Sequence, residues 1–195
     1  MDYWHETDLP EALNYTFKEC LDHGIAVSNM AFYIAKEMKL DEDMCYELAI
    51  AGLIHDIGKI LLSAYLYGDD TDIFRIEEIK YVRMHSKLSY DILQYYDFSY
   101  FVLESVLSHH ENYDGSGYPE NLRGEDIPIG ARILRVADVF SALVSDRTYR
   151  SAFDADIAVE LMIDEVKNFD MEVFLAFQRV VHDIDMDEFL NNKIF

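Results

Sequence analysis

Cysteine is nearly absent from the 195 residues: Cys20 and Cys45 are the only two, and they form no CxxC spacing. A thiolate metal site and a disulfide framework are therefore unsupported, and buried thiols in a reducing compartment are expected. Proline occurs three times and glycine eight times, with no Pro/Gly-rich tract that would read as a linker between domains. No apolar run reaches the ~20 residues needed to cross a bilayer. Met1-Asp2-Tyr3-Trp4-His5-Glu6 lacks the basic and apolar regions of a signal peptide, so a cytoplasmic chain with no membrane partner is expected. Positive charge is also scarce, 16 basic against 38 acidic residues and a formal net charge of −22. Such a chain lacks the basic footprint that displaces counterions from DNA or RNA duplexes. A small anion is not excluded, because carboxylates that hold a metal count as negative in the sequence while the loaded site can be net positive.

What is present is helical periodicity. Apolar residues make up 51% of the chain and recur at 3.6-residue spacing, which predicts an all-α fold. One domain over 1–195 is expected, with a core over about 10–180 and C-terminal helices within 155–195. Thr7 or Asp8 before Leu9-Pro10-Glu11 predicts an N-cap opening a helix to about Met38, striped by Leu13, Phe17, Leu21, Val27, Ala31, Ile34 and Met38. Asp41-Glu42-Asp43 caps a second helix leading to His55-Asp56, and 65–71 reads as a loop. A third period runs from Ile73 through Leu88 with His85 inside it. Tyr90, Tyr95, Tyr96, Phe98, Tyr100 and Phe101 read as core and groove lining. A helix over 101–108 ends in His109-His110, a Gly/Asp/Tyr/Pro loop follows over 111–119, and a helix resumes from Ile127-Pro128 to Val144.

The chemistry centres on Gly52-Leu53-Ile54-His55-Asp56-Ile57-Gly58-Lys59. An imidazole, a carboxylate and an ammonium within an apolar run cost several kcal/mol to bury unless compensated, and a metal ion held by the His nitrogen and the Asp oxygens is the simplest compensation. The plainer reading is a helix C-terminus, with Gly58 as left-handed cap and Lys59 extending to water. The rest of the inventory favours the metal. His23, His55, His85, His109 and His110 fall in helical segments or at their ends, and Asp56 and Asp138 share that context. His and carboxylate donors without cysteine suit Fe, Mn or Zn with room for two ions, and Glu19, one turn from His23, could serve a third.

His55-Asp56-Ile57-Gly58-Lys59, followed by His109-His110-Glu111 and Asp114-Gly115-Ser116-Gly117-Tyr118-Pro119, with His85 between and Ala137-Asp138-Val139-Phe140 downstream, resembles the HD-GYP family. This family is a branch of the HD superfamily of metal-dependent phosphohydrolases that acts on cyclic dinucleotides. The likeness runs from about Glu19 to Phe177. It implies an HD-type helical bundle with the GYP loop at the metal site. It also implies that His23, His55, Asp56, His85, His109, His110 and Asp138 bind two divalent transition metals, Asp56 bridging, with Glu19 for a third. Fe or Mn is expected first, with Zn or Ni as alternatives. Lys59 is implied to contact the scissile phosphate, Arg147 and Arg150 to face phosphates, and Tyr118 to border the substrate.

The chemistry of such sites implies that a water bridging two metals attacks phosphorus in line, opening cyclic di-GMP to pGpG and then GMP. Cyclic GMP-AMP is the alternative substrate, and a weakly active nucleotide- or partner-binding module the rival of another class. A homodimer through the terminal helices or a separate signalling partner would accommodate regulation. Four departures accompany the resemblance: Ser141 in place of an aspartate, Thr148 in place of a proline, Ser89 in place of a glycine, and the acidic stretch Tyr67-Gly68-Asp69-Asp70-Thr71-Asp72 after the HD helix.

Overall fold

The computed structural model describes residues 17–66, 83–146 and 151–183, without the side chains of Phe17, Glu19, Leu61 and 63–66. Among the described residues the regular structure is helical: α1 (Phe17–Glu37), α2 (Glu42–Ile54), α3 (Ile57–Leu66), α4 (His85–Leu93), α5 (Tyr100–Ser108), α6 (Ile129–Leu143), α7 (Ala155–Asp164) and α8 (Met171–Asp183), with short 3-10 turns at Gly124–Asp126 and Val166–Asn168. None of these helices is long and apolar enough to cross a membrane. Asp41 caps α2 as expected, its carboxylate accepting from the Met44 amide at 2.9 Å. Ser99 does the same for α5 from the Val102 amide.

Close backbone packing sets the site. A Cβ on Gly24 of α1 would lie 2.4 Å from the Leu53 carbonyl oxygen of α2, and one on Gly52 would lie 2.8 Å from the Ser28 backbone. The two helices therefore meet backbone to backbone, which seats His23 edge-on to His55 with ring centroids 5.4 Å apart. α1, α2, α6 and α8 enclose the main core, in which Met30, Ile34, Leu48, Ile133, Phe140 and Phe177 are fully buried. Arg132 of α6 ties this body to the start of α8 through a 2.6 Å pair with Asp170.

Several expectations are corrected. Gly58 is not a left-handed cap: it lies inside α3, outside the positive-φ glycines, and its function is close approach. A Cβ there would meet the His85 carbonyl oxygen at 2.3 Å and the Ser89 amide at 2.8 Å, while the Gly58 amide donates to Ser89 Oγ at 2.9 Å. Ser89 is thus an interhelical acceptor that joins α3 to α4. Gly58→Ala is expected to destabilise the fold by about 1–3 kcal/mol through this overpacking, read by denaturant unfolding. Wild-type stability in that variant would contradict the packing argument.

His85 does not sit inside a continuous helix; a turn at Met84 precedes it and α4 starts at His85. Leu21, assigned to the apolar stripe, is exposed. Tyr95, Tyr96 and Tyr100 stand in solvent at 85%, 65% and 74% exposure, so only the Phe98 and Phe101 side of that aromatic cluster packs on the core. The loop expected over 65–71 starts later, since Tyr65 and Leu66 close α3. The N-cap at Thr7 or Asp8, residues 67–72, the period over 73–82, Thr148 and the chain after 183 lie outside the described residues.

Candidate metal centre

Helix ends deliver most of the polar groups to one place. His55 is the C-cap of α2, His109 the C-cap of α5, and His85 the first residue of α4, so the negative ends of two helix dipoles point toward the centre. Asp56 follows His55 in the break between α2 and α3. Its Oδ2 lies 3.3 Å from His55 Nε2, 3.9 Å from His23 Nε2 and 2.6 Å from Lys59 Nζ. Its Oδ1 lies 3.2 Å from His85 Nε2 and 4.0 Å from His109 Nε2. Asp138, from the middle of α6, places Oδ1 2.9 Å from His23 Nε2 and 3.8 Å from His55 Nε2. His110 Nε2 sits 3.0 Å from His85 Nε2, which is 3.2 Å from His109 Nε2.

Two groups emerge whose donor atoms lie within 4.8 Å of one another, Asp56/His85/His109/His110 and His23/His55/Asp56. Asp56 belongs to both, with one oxygen facing each. His23, His55, Asp56, His85 and His109 are buried, while His110 and Asp138 are partly so.

The donor geometry suits cations. His55 Nδ1 donates to the Gly52 carbonyl at 2.7 Å and His109 Nδ1 to the Val106 carbonyl at 2.6 Å, which leaves each neutral ring with an Nε2 lone pair directed inward. Among the described residues, His55 Nε2, Asp56 Oδ1 and His23 Nδ1 are buried without a hydrogen-bond partner. Lone pairs and carboxylate oxygens facing one another at 3–4 Å repel unless a positive charge lies among them. A pair of divalent ions satisfies that requirement, and the chemistry of the donor set is compatible with it.

The titration behaviour agrees for the two carboxylates and for the His109-His110 doublet, and runs the other way at His55. Burial pushes the Asp56 carboxyl up, but the His55 and Lys59 charges and the close approach of His55 and His85 hold it well below the usual carboxylate range. Asp138 is likewise held well below that range by His23, His55 and His110 against its burial. Burial and the neighbouring imidazoles hold His109 well below the ordinary histidine value, and burial dominates the same downward shift at His110. Burial pulls His55 down too, yet the Asp56 and Asp138 carboxylates outweigh it and raise its pKa. Ionised carboxylates and neutral imidazoles are the protonation states that metal binding needs.

Lys59 does not extend to water: it turns inward onto Asp56. Tyr118 stacks on His110 with centroids 4.8 Å apart, and burial raises its hydroxyl pKa. Its loop is held against the His109-His110 turn by the Tyr118 amide on the His110 carbonyl, and a Cβ on Gly117 would meet the Asn112 amide at 2.2 Å. Glu111, buried after the doublet, accepts the Glu120 amide at 2.6 Å and pins the far side of the loop. Ser141 is buried beyond Asp138, with no partner for its hydroxyl among the described residues. The Glu19 side chain, Arg147 and Arg150 lie outside the described residues. Residue types alone did not single out Glu111, Arg83 or Arg135. The signal for Arg135 was its position one turn before Asp138 on α6.

The bundle and its buried His/Asp centre define a helical domain equipped to hold metal ions between helix ends. Residues 9–173 match the HD domain, and the chain belongs to the HD-domain family. Among curated relatives, the cyclic di-GMP phosphodiesterase PA4108 of Pseudomonas aeruginosa is 34% identical over 166 residues, 82% of this chain and 38% of the relative. The 3'3'-cGAMP-specific phosphodiesterase 1 of Vibrio cholerae is 34% identical over 156 residues, 78% of this chain and 36% of the relative. A cyclic di-GMP phosphodiesterase of Thermotoga maritima is 33% identical over 173 residues, 87% and 47% respectively. The chain thus spans less than half the length of each of these three. The crystal structure of a cyclic GMP-AMP-specific phosphodiesterase of V. cholerae shares the fold with a TM-score of 0.69 at 19% identity, over 95% of this chain and 50% of that one.

Proposed function

We propose that this chain is a metal-dependent phosphodiesterase domain that hydrolyses cyclic di-GMP to pGpG and GMP. The observation that carries the reading is the convergence of five imidazoles and two carboxylates, with orphaned inward-facing donors, around a shared Asp56. His23, His55 and Asp138 would hold one ion and His85, His109 and His110 the other, with Asp56 between them and Glu19 for a third; Fe or Mn suits this set best, with Zn or Ni as alternatives. When bound, the ions supply Lewis acidity to phosphate oxygens and lower the pKa of a water so that it can act as nucleophile.

The chain's own residues do the rest. Lys59, already turned to the centre, meets the charge that develops on the phosphoryl oxygens, while Tyr118 borders the substrate and its loop excludes water from the His110 side. Arg147 and Arg150 are assigned to the phosphates. PA4108, named for cyclic di-GMP, and phosphodiesterase 1, named for 3'3'-cGAMP, are each 34% identical to this chain, which supports cyclic GMP-AMP as the alternative substrate.

The test is incubation of metal-loaded protein with cyclic di-GMP, cyclic GMP-AMP and cyclic di-AMP, with products separated over time. Conversion of cyclic di-GMP to pGpG is expected. Tight binding with no product would contradict the enzymatic reading.

A further inference from the structure

The sequence is poor in cations, and five of the described ones are committed to carboxylates: Arg132 pairs with Asp170, Arg179 with Glu37, Lys18 with Asp22, Lys87 with Asp91 and Lys59 with Asp56. Arg83 and Arg135 form no ion pair among the described residues, although acidic residues outnumber basic ones more than twofold. Both gather at the Tyr118 loop. The Arg83 guanidinium carbon lies 5.4 Å from the centroid of the Tyr118 ring, which itself stacks on His110. Arg135 reaches the same loop from α6, its Nε donating to Asn112 Oδ1 at 3.0 Å.

That arginine is held, not loose. The Asn112 amide spends its other end on Ser116 Oγ at 3.0 Å, and Ser116 donates in turn to Asp114 Oδ1 at 2.6 Å. A relay of three loop side chains thus fixes the Nε edge and leaves the terminal guanidinium nitrogens, the pair suited to fork onto an anion, without a protein partner among the described residues. The charges of both arginines bear on the Tyr118 hydroxyl, and that of Arg135 on His110 as well.

Position determines what anion belongs there. Lys59 touches one oxygen of Asp56, whose other oxygen faces His85; His85 meets His110, and His110 carries Tyr118 with Arg83 over its ring. Cationic groups therefore stand at both ends of the imidazole row. A substrate with one phosphate engages one end, and a cyclic dinucleotide carries a second phosphodiester for the other. We propose that Arg83 and Arg135, gathered around Tyr118, form an anion subsite that holds the non-scissile phosphodiester of a cyclic dinucleotide while the first lies at the His/Asp centre. The inference rests on the reading of the reaction given above and adds a specificity element to it, one that separates dinucleotides from diesters with a single phosphate.

The test measures binding of a bis-phosphorothioate cyclic di-GMP that resists hydrolysis to Mn-loaded wild type, Arg135→Ala, Arg135→Lys and Arg83→Ala across a salt series, with kcat and KM for cyclic di-GMP taken in parallel. Each alanine variant is expected to bind about tenfold more weakly, because each removes a charged hydrogen-bonding group. Each should also show a shallower salt dependence, since one screened ion contact is gone. KM should rise while kcat changes little, metal content should match wild type, and Arg135→Lys should recover part of the affinity. Unchanged affinity in both alanine variants overturns the subsite. Weaker binding with an unaltered salt slope, or with metal lost, also overturns it, because that is the mark of a structural role. If wild type binds the analogue through these arginines but leaves cyclic di-GMP uncut, the hydrolytic reading fails and the subsite stands. If cyclic di-GMP is cut with KM unchanged in the variants, the subsite alone fails.

Discussion

Asp56→Ala is expected to lose bound metal and to lower hydrolysis of cyclic di-GMP by about 10³-fold or more, since it removes the one carboxylate that faces both donor groups. Asp56 Oδ1 faces the His85 side and Oδ2 the His55 and His23 side, so a single truncation disturbs both positions rather than one. The same change strands the buried His55 and the inward-turned Lys59, and breaking a buried ion pair costs about 3–5 kcal/mol. Asp56→Asn separates the two effects: it keeps the shape but removes the charge, and it is expected to fold while still failing to load metal. Elemental analysis beside circular dichroism reads the difference. Metal at wild-type level in a folded Asp56→Asn protein would remove Asp56 from the ligand set.

Lys59→Ala is expected to behave in the opposite way, keeping its metal and losing about 10²-fold in kcat. Lys59 carries the ammonium next to Asp56, and its side chain keeps 27% exposure, enough to meet a substrate oxygen entering the site. His55, His85 and His23 still surround Asp56 in the variant, so the carboxylate stays ionised and the donor set remains intact. The split between unchanged metal content and reduced rate distinguishes a lysine that acts on the phosphoryl group from one that only neutralises Asp56. Loss of metal in parallel with rate would assign Lys59 the second role.

How far these residues could be read in advance depended on whether their meaning was local. His55-Asp56 and His109-His110 were legible because each doublet sits at a helix end, where a polar pair after an apolar helix stands out in the chain itself. The Asp41 cap was legible for the same reason. The alternative reading of Gly58 as a terminator fails because its requirement comes from the His85 carbonyl, 27 positions away, which a glycine after a helical run does not reveal. The start of α4 was misplaced because apolar periodicity persists through the turn at Met84 and does not register a break of one residue. Tyr95, Tyr96 and Tyr100 show the complementary limit: spacing says which residues share a face but not whether another element covers it. Arg83 and Arg135 carried no motif at all. Their interest arises only when the fold brings α6 and the residue before Met84 to the same loop.

The central claim is that the buried centre holds divalent ions and uses them on a phosphodiester. The most direct measurement is anaerobic reconstitution of the protein with Fe(II) or Mn(II), counting ions per chain while following cyclic di-GMP to pGpG in the same samples. The account predicts two to three ions per chain, with turnover rising as they load and vanishing when a chelator removes them. A protein that loads fewer than one ion per chain, or cleaves equally well after chelation, would contradict it.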